Sequence, residues 1–246
     1  MESVKRIALS KEGNQYYIRN ITQDYHTKEG YIRKEDLKKK AAIAKTNTGS
    51  ELFIFEPGFI DSYRKIKRLP QIIPLKDIGA IIAVTGISPK SKVVDAGSGS
   101  GALALFLAHL VKEVTTYEIR DDFIAVVREN IAALGIKNIK VKKKDVTQGI
   151  DEKNVDLVVL DMPNPWDALP AVQKSLKVGG FLVSYSPTIV QAADVVHALK
   201  DHKSLLHIKT TETLEREWEI DERRIRPHSQ MLAHSGFLTF IRKVSE

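Results

Sequence analysis

From residue 77 to residue 200 the apolar positions alternate between two rhythms. Short runs dense in β-branched residues recur at KVVDAG (92–97), EVTTYEI (113–119), IKVKKKD (139–145), VDLVVLD (155–161) and FLVSYSP (181–187). Between them, DIGAIIAVTGI (77–87), ALALFLAHLV (102–111), DDFIAVVRENIAALG (121–135) and the stretches 167–177 and 188–200 place apolar residues at helical spacing. Repeated strand–helix units of this kind require a parallel sheet covered on both faces by helices. The Gly-rich VGG (178–180) reads as the turn before the fifth strand. Two late runs, LLHIKTTETL (205–214) and GFLTFIRK (236–243), add an antiparallel edge.

The first 62 residues keep neither rhythm for long. VKRIAL (4–9) and QYYIRN (15–20) flank the turn-rich Ser10-Lys11-Glu12-Gly13-Asn14 and predict a hairpin. GYIR (30–33) and ELFIFEP (51–57) are further short strands, with a Lys-rich helical piece between them. The pattern predicts a small N-terminal β domain over 1–62 and an α/β domain over 63–246. A basic stretch broken at Pro70 and Pro74, FIDSYRKIKRLPQIIPLKD (59–77), connects them.

Charge sharpens this division. Residues 1–92 hold 18 Lys and Arg against 10 Asp and Glu, whereas the remainder holds 20 against 21. The net charge of +7 therefore belongs to the first third. RKEDLKKK (33–40) alone reads as a solvated face, but a whole basic segment beside a neutral one points to a polyanionic partner. The absence of cysteine excludes disulfides, thiolate metal sites and cysteine nucleophiles. The seven histidines show no metal-ligand spacing, so no metal is expected. Lys and Glu interrupt every apolar run before the ~18 residues of a membrane span, and MESVKRIALSKEGN lacks the apolar core of a signal peptide. The expectation is a cytoplasmic chain with no membrane partner.

Candidate chemistry centres on VVDAGSGSGALALF (93–106). Gly97, Gly99 and Gly101, with Ser98 and Ser100 between them, fall on the turn between the first strand of the α/β region and its helix. Such a turn lets a ligand approach the main chain. Glu118 ends the next strand about twenty residues on, where an acid can accept both hydroxyls of a ribose. Asp145, followed by Val146, ends the third strand, placed to take an exocyclic amine. Asp161 ends the fourth. Singly, each acid also reads as a helix cap. Together, Asp95, Glu118, Asp145 and Asp161 occupy the strand ends where open α/β sheets bind ligands. Four acids would repel a pyrophosphate but suit a sulfonium with an ammonium group, so S-adenosylmethionine fits better than a nicotinamide dinucleotide.

The D-x-G-x-G-x-G of residues 95–101, followed by Glu118, resembles the class I S-adenosylmethionine-dependent methyltransferases over roughly 76–243. That resemblance implies a Rossmann-like sheet. Asp161-Met162-Pro163-Asn164-Pro165-Trp166 narrows it, because D-x-P-x-P-W is similar to the tRNA adenine-N1 methyltransferases of the T loop, the TrmI/Trm61 family, in its archaeal single-subunit form. HTKEGYIRKEDL (26–37), YRKIKRLPQIIPLKD (63–77, with Gln71 and Asp77 in register) and RPHSQMLAHSGFLTFIRK (226–243) extend the likeness almost end to end.

The resemblance implies methyl transfer to N1 of adenosine 58, and in archaeal members also 57, in a tRNA partner, by a homotetramer. It puts Asp161 in the catalytic role and Gln71 at the cofactor, and it makes Trp166 and Arg226 candidates at the substrate. Pro74-Leu75 depart from the family's aromatic or His followed by Pro. Tyr185 is the candidate to stack the target base instead, and it reads equally as a core tyrosine. Three rivals stand beside this reading. A class I methyltransferase acting on a protein or small-molecule amine leaves the basic segment unexplained. A non-catalytic RNA-binding subunit would lose the glycine turn and Asp161. A nicotinamide oxidoreductase is opposed by the crowd of acids.

Overall fold

The computed structural model describes residues 2–70, 72–221 and 223–246. Contacts divide the chain into two compact units, residues up to 67 together with 129–135, and residues 68–128 together with 136–246.

In the first unit, β1 (Arg6–Ser10) and β2 (Gln15–Ile18) form the expected hairpin. β3 (Tyr25–Thr27) and β4 (Gly30–Ile32) make a separate two-stranded ribbon, followed by the short α1 (Lys34–Leu37), which ends before the lysine run 38–40. β5 (Ala41–Lys45) and β6 (Glu51–Phe55) complete an antiparallel sheet ordered β2-β1-β6-β5, and α2 (Phe59–Tyr63) follows. Ala8, Ile18, Ile32, Leu37, Ala44, Leu52 and Ile54 are its buried core. β5 was not expected from AAIAK, because alanine has little intrinsic preference for a strand and pairing with β6 supplies it. The buried Arg6 donates from Nε to Lys39 O at 2.7 Å and from Nη2 to Lys38 O at 3.2 Å. It thereby anchors the turn that exposes Lys38, Lys39 and Lys40.

The second unit runs α3 (Leu75–Thr85), β7 (Lys92–Ala96), α4 (Ala102–Ala108), β8 (Glu113–Glu118), α5 (Asp121–Leu134, whose residues from 129 on are counted with the first unit), β9 (Ile139–Lys143) and β10 (Val155–Leu160). It continues through α6 (Leu169–Ser175), β11 (Leu176–Ser186), α7 (Ile189–Ala198), β12 (Leu205–Thr211), β13 (Trp218–Asp221), β14 (Arg224–Pro227) and β15 (Phe237–Lys243). A seven-stranded sheet is ordered β12-β15-β11-β10-β7-β8-β9. The strands from β11 to β9 in that order are parallel, and β15 is antiparallel to both its neighbours, as the two rhythms required. Side chains alternate across β10: Val158 and Leu160 pack with Leu169, Val172 and Val195, and Leu157 and Val159 pack with Ile78, Ile81 and Leu107. Both faces are apolar, so the strand reads as an unbroken hydrophobic run. The chain leaves β7 for β8 on one side and later returns to β10 on the other. That reversal opens a crevice at the carboxyl ends of β7 and β10.

Three local readings change in three dimensions. The VGG turn is a bulge inside one long β11, whose register against β10 jumps from Val155–Leu176 to Leu157–Phe181. The helix foreseen from 167 begins at Leu169, because Pro165 first starts a 3-10 turn over Pro165–Ala168. The β13–β14 hairpin was not foreseen: Trp218, Ile220 and Ile225 are all exposed, so no apolar–polar alternation announces it. Among the described residues no helix is long and apolar enough to cross a membrane.

Candidate active site

β7 and β10 end side by side, and the turns that follow them meet. The Asp161 N–H donates to Ala96 O at 2.9 Å. A Cβ on Gly97 would lie 1.8 Å from the Asp161 carbonyl oxygen, and Gly97 has φ 88°, so no other residue fits. Gly97 N and Ser98 N both donate to Tyr117 O, at 3.1 and 3.3 Å, which locks the glycine turn to β8. Gly101 starts α4 so close to α5 that a Cβ would press on Val127 at 3.1 Å.

The acids occupy different environments on this frame. Asp95 is buried and accepts from Thr116 Oγ1 at 2.6 Å, and Thr116 Oγ1 in turn accepts from Ser98 Oγ. Burial pushes its carboxyl up to about 6, with the charge of Glu118 adding and the Thr116 bond opposing. Asp161 is pushed further, to about 7, by burial first and then by the charge of Asp95. Two carboxylates held up in this way leave a crevice that a bound cation would relieve. Glu118, also buried, accepts at Oε1 from the N–H groups of Ile119 (2.9 Å) and Arg120 (3.1 Å), and at Oε2 from Gly99 N (3.3 Å). Asp145 is exposed and caps its own 3-10 turn, with Oδ1 accepting from Thr147 N and Oγ1 at 2.8 Å each. The cap reading therefore holds for this acid alongside its strand-end position.

A cavity of about 910 Å³ opens at these strand ends, lined among others by Gly97, Gly99, Glu118, Asp145, Val146 and Asp161. Asp95, Ser98, Ser100 and Gly101 lie beneath it and shape it rather than line it. Gln71 lies outside the described residues. Sequence reasoning missed the apolar wall made by Ile119, Phe123 and Met162. Ile119 is 62% exposed, yet EVTTYEI reads as a buried strand to its last residue, so only the ended strand reveals it.

After Asp161 the backbone is held off helix geometry. Asn164 adopts the left-handed conformation (φ 49°, ψ 57°), accepts from Asp167 N at 3.1 Å, and hands over to the buried Pro165. Trp166 packs against the core around Leu169 and Val172 and is not among the residues lining the cavity, so its indole supports the turn. Tyr185 is 8% exposed, sits in the core with Leu238 and Phe240, and its hydroxyl is pushed up to about 12, chiefly by burial. It nevertheless follows the last registered pair of β10 and β11, Leu160 and Ser184, which makes it Asp161's neighbour on the next strand. Arg226 stands on β14, where its Nε donates to Glu219 at 2.9 Å, and it is not part of the cavity lining.

Comparison with known proteins agrees with this fold. A family model described as tRNA methyltransferase complex GCD14 subunit matches residues 65–236. The chain is 32% identical to the tRNA (adenine(57)-N(1)/adenine(58)-N(1))-methyltransferase TrmI of Methanocaldococcus jannaschii, over 96% of this chain and 94% of that one. It is 30% identical to the tRNA (adenine(58)-N(1))-methyltransferase TrmI of Thermus thermophilus, over 89% and 88%. Among solved structures, a SAM-dependent O-methyltransferase from Thermotoga maritima is similar with a TM-score of 0.87 at 27% identity, covering 100% of this chain and 95% of that one. The tRNA methyltransferase TrmI of Aquifex aeolicus shares the fold with a TM-score of 0.82 at 24% identity, covering 100% and 98%.

Proposed function

Since the chain belongs to the family of tRNA methyltransferase complex GCD14 subunits, we propose that it methylates N1 of adenosine 58 in the T loop of tRNA, using S-adenosylmethionine. Position 57, named for the Methanocaldococcus relative, is the second target to assay. The observation that carries this reading is the junction of Gly97 with Asp161, which sets a half-buried, poorly solvated acid on the cavity wall at the switch point of the sheet.

The residues present suit the cofactor. Asp95 and Asp161 are both held protonated to unusually high pH, and a neighbouring positive charge would return them to the ionised form. Glu118 stands at the end of the second parallel strand with one oxygen already fixed by main-chain N–H groups, ready for ribose hydroxyls. When bound, S-adenosylmethionine supplies an electrophilic methyl group on a positively charged sulfur. Gln71, Asp95, Gly97, Ser98, Gly99, Ser100, Gly101, Glu118, Asp145, Val146 and Asp161 form its proposed site. A pyrophosphate cofactor would meet the same acids as a repulsion.

Asp161 carries the acceptor side. Adenine N1 has its lone pair free at neutral pH, so the protein needs no strong base there. Ionised Asp161 accepts from the exocyclic amine and thereby orients the base. The same carboxylate stabilises the positive charge that builds on the ring as N1 reacts. A base in a folded loop must first be splayed out, at a cost of a few kcal/mol. Phosphate contacts from the basic N-terminal residues offset that cost, with 1–62 as the tRNA-binding module and 63–246 as the catalytic domain. Tyr185, Asp161's neighbour on the next strand, is the candidate for holding the base, and Arg226 on its exposed hairpin suits a tRNA phosphate. A cytoplasmic homotetramer is the form that goes with this reading.

The test is the identity of the product. The pure protein, incubated with tRNA and S-adenosylmethionine, should yield N1-methyladenosine in nuclease digests. Reverse transcription should stall at the T-loop adenosine, and alkali should convert the product to N6-methyladenosine. A product that reads through normally and chromatographs from the start as N6- or C2-methyladenosine would sink the assignment.

A further inference from the structure

Lys76 stands in the first turn of α3 with only 6% of its side chain exposed. Its ammonium group has three acceptors: Asp77 Oδ1 at 2.9 Å, Thr213 O at 2.6 Å and Ser235 Oγ at 2.5 Å. Ser235 in turn donates to Asp77 Oδ2 at 2.7 Å, so both oxygens of a fully buried carboxylate are held. Thr213 and Ser235 are the two ends of the long excursion between β12 and β15 that carries the β13–β14 hairpin. A second link joins the same ends, because His234 Nδ1 bonds Glu212 Oε1 while His234 Nε2 faces Pro187 O at 2.8 Å, one residue past β11. A neutral imidazole donates from one nitrogen only, so both bonds form together in the imidazolium.

The tie has a consequence at the candidate active site. Gly236 follows Ser235 and lies against Tyr185, where a Cβ would come within 2.4 Å of the ring Cζ. Tyr185 is Asp161's neighbour across β10 and β11. A buried ion pair is a weak source of stability, since desolvating both charges offsets their attraction. Its three-way bonding supplies direction instead, fixing where Gly236 and the end of β11 stand.

We propose that Lys76, Asp77 and Ser235, with His234 and Glu212, form a clasp that closes the base of the excursion and positions Tyr185 beside Asp161. They are positioning residues for the acceptor base, and the inference rests on the methyl-transfer reading of the crevice. Ser235→Ala removes the hydroxyl but keeps the Lys76 bonds to Asp77 and Thr213, so the fold persists. The expected result is a fall in kcat for tRNA methylation of roughly 10- to 100-fold, the penalty of a small misplacement of reacting groups. Cofactor affinity by calorimetry should stay within about two-fold of wild type, because the change acts on acceptor alignment. Ser235→Thr, which keeps the hydroxyl, should recover most of the rate, and Gly236→Ala should lose it by displacing the Tyr185 ring. A Ser235→Ala variant at full rate, equal losses in the Ala and Thr variants, or a parallel loss of cofactor affinity would each overturn the clasp alone. An inactive wild-type protein would overturn the methyl-transfer reading, and the positioning role with it.

Discussion

Replacing Asp161 with Asn should make the protein more stable while removing its activity, and the size of the gain follows from the site. Burial and the Asp95 charge raise the Asp161 carboxyl from the ordinary 3.8 to about 7. In the unfolded chain it ionises near its ordinary value, so between the two values the folded state holds the extra proton. Stability therefore falls as pH rises through that window. At about 1.4 kcal/mol per pH unit, the cost is about 1.5 kcal/mol at pH 5 and about 4 kcal/mol at pH 8.5. The neutral amide of the Asp161→Asn variant carries no charge and has no such cost. Urea denaturation without cofactor, followed by the fluorescence of Trp166 on the adjoining core, measures the difference. The gap between the Asp161→Asn variant and wild type should widen by about 2–3 kcal/mol from pH 5 to pH 8.5. Over the same substitution methyl transfer should fall ~10²–10³-fold, the usual effect of losing one preorganised electrostatic group. A gap that does not change with pH would refute the reasoning about burial. Transfer within a few-fold of wild type would refute the catalytic role.

The other tests are simpler. Glu118→Ala should weaken cofactor binding by roughly 1.5–3 kcal/mol, read by calorimetry, with transfer partly restored at saturating cofactor; unchanged affinity would reduce Glu118 to a strand-end cap. Gly97→Ala forces a Cβ to 1.8 Å from the Asp161 carbonyl. It should cost ~3 kcal/mol or more in urea denaturation and abolish cofactor binding, and a variant of wild-type stability would show that the two turns can move apart. Neutralising Lys38, Lys39 and Lys40 together should flatten the dependence of log tRNA affinity on log salt, by up to about 0.9 for each phosphate no longer neutralised. An unchanged slope would return these exposed lysines to a solvated face.

β7, β8 and β10 were legible in the chain because each is buried on both faces and must read as an apolar run, whereas the edge strand β9 is only partly covered and showed itself by its β-branched residues alone. The glycine turn and the strand-ending Asp95, Glu118, Asp145 and Asp161 were legible for the same local reason, since a strand's end marks the crevice of an open α/β sheet. Elements whose pattern carries no such contrast were hidden. β5 is a strand only because β6 pairs with it, and the β13–β14 hairpin exposes Ile220 and Ile225 on the same footing as its polar residues. Interactions between distant positions were also hidden. That Gly97 abuts Asp161 and that Lys76 grips Ser235 both depend on strand order, which brings together residues far apart in the chain. The sequence by itself determined which residue types stand at the strand ends, because that is a matter of local periodicity. Only the tertiary structure decided which of those acids are desolvated and which stay open to water. Buried Asp95 and half-buried Asp161 hold their protons to about 6 and 7, while exposed Asp145 caps its own turn, because desolvation is set by everything packed around a carboxyl and not by its neighbours in the chain.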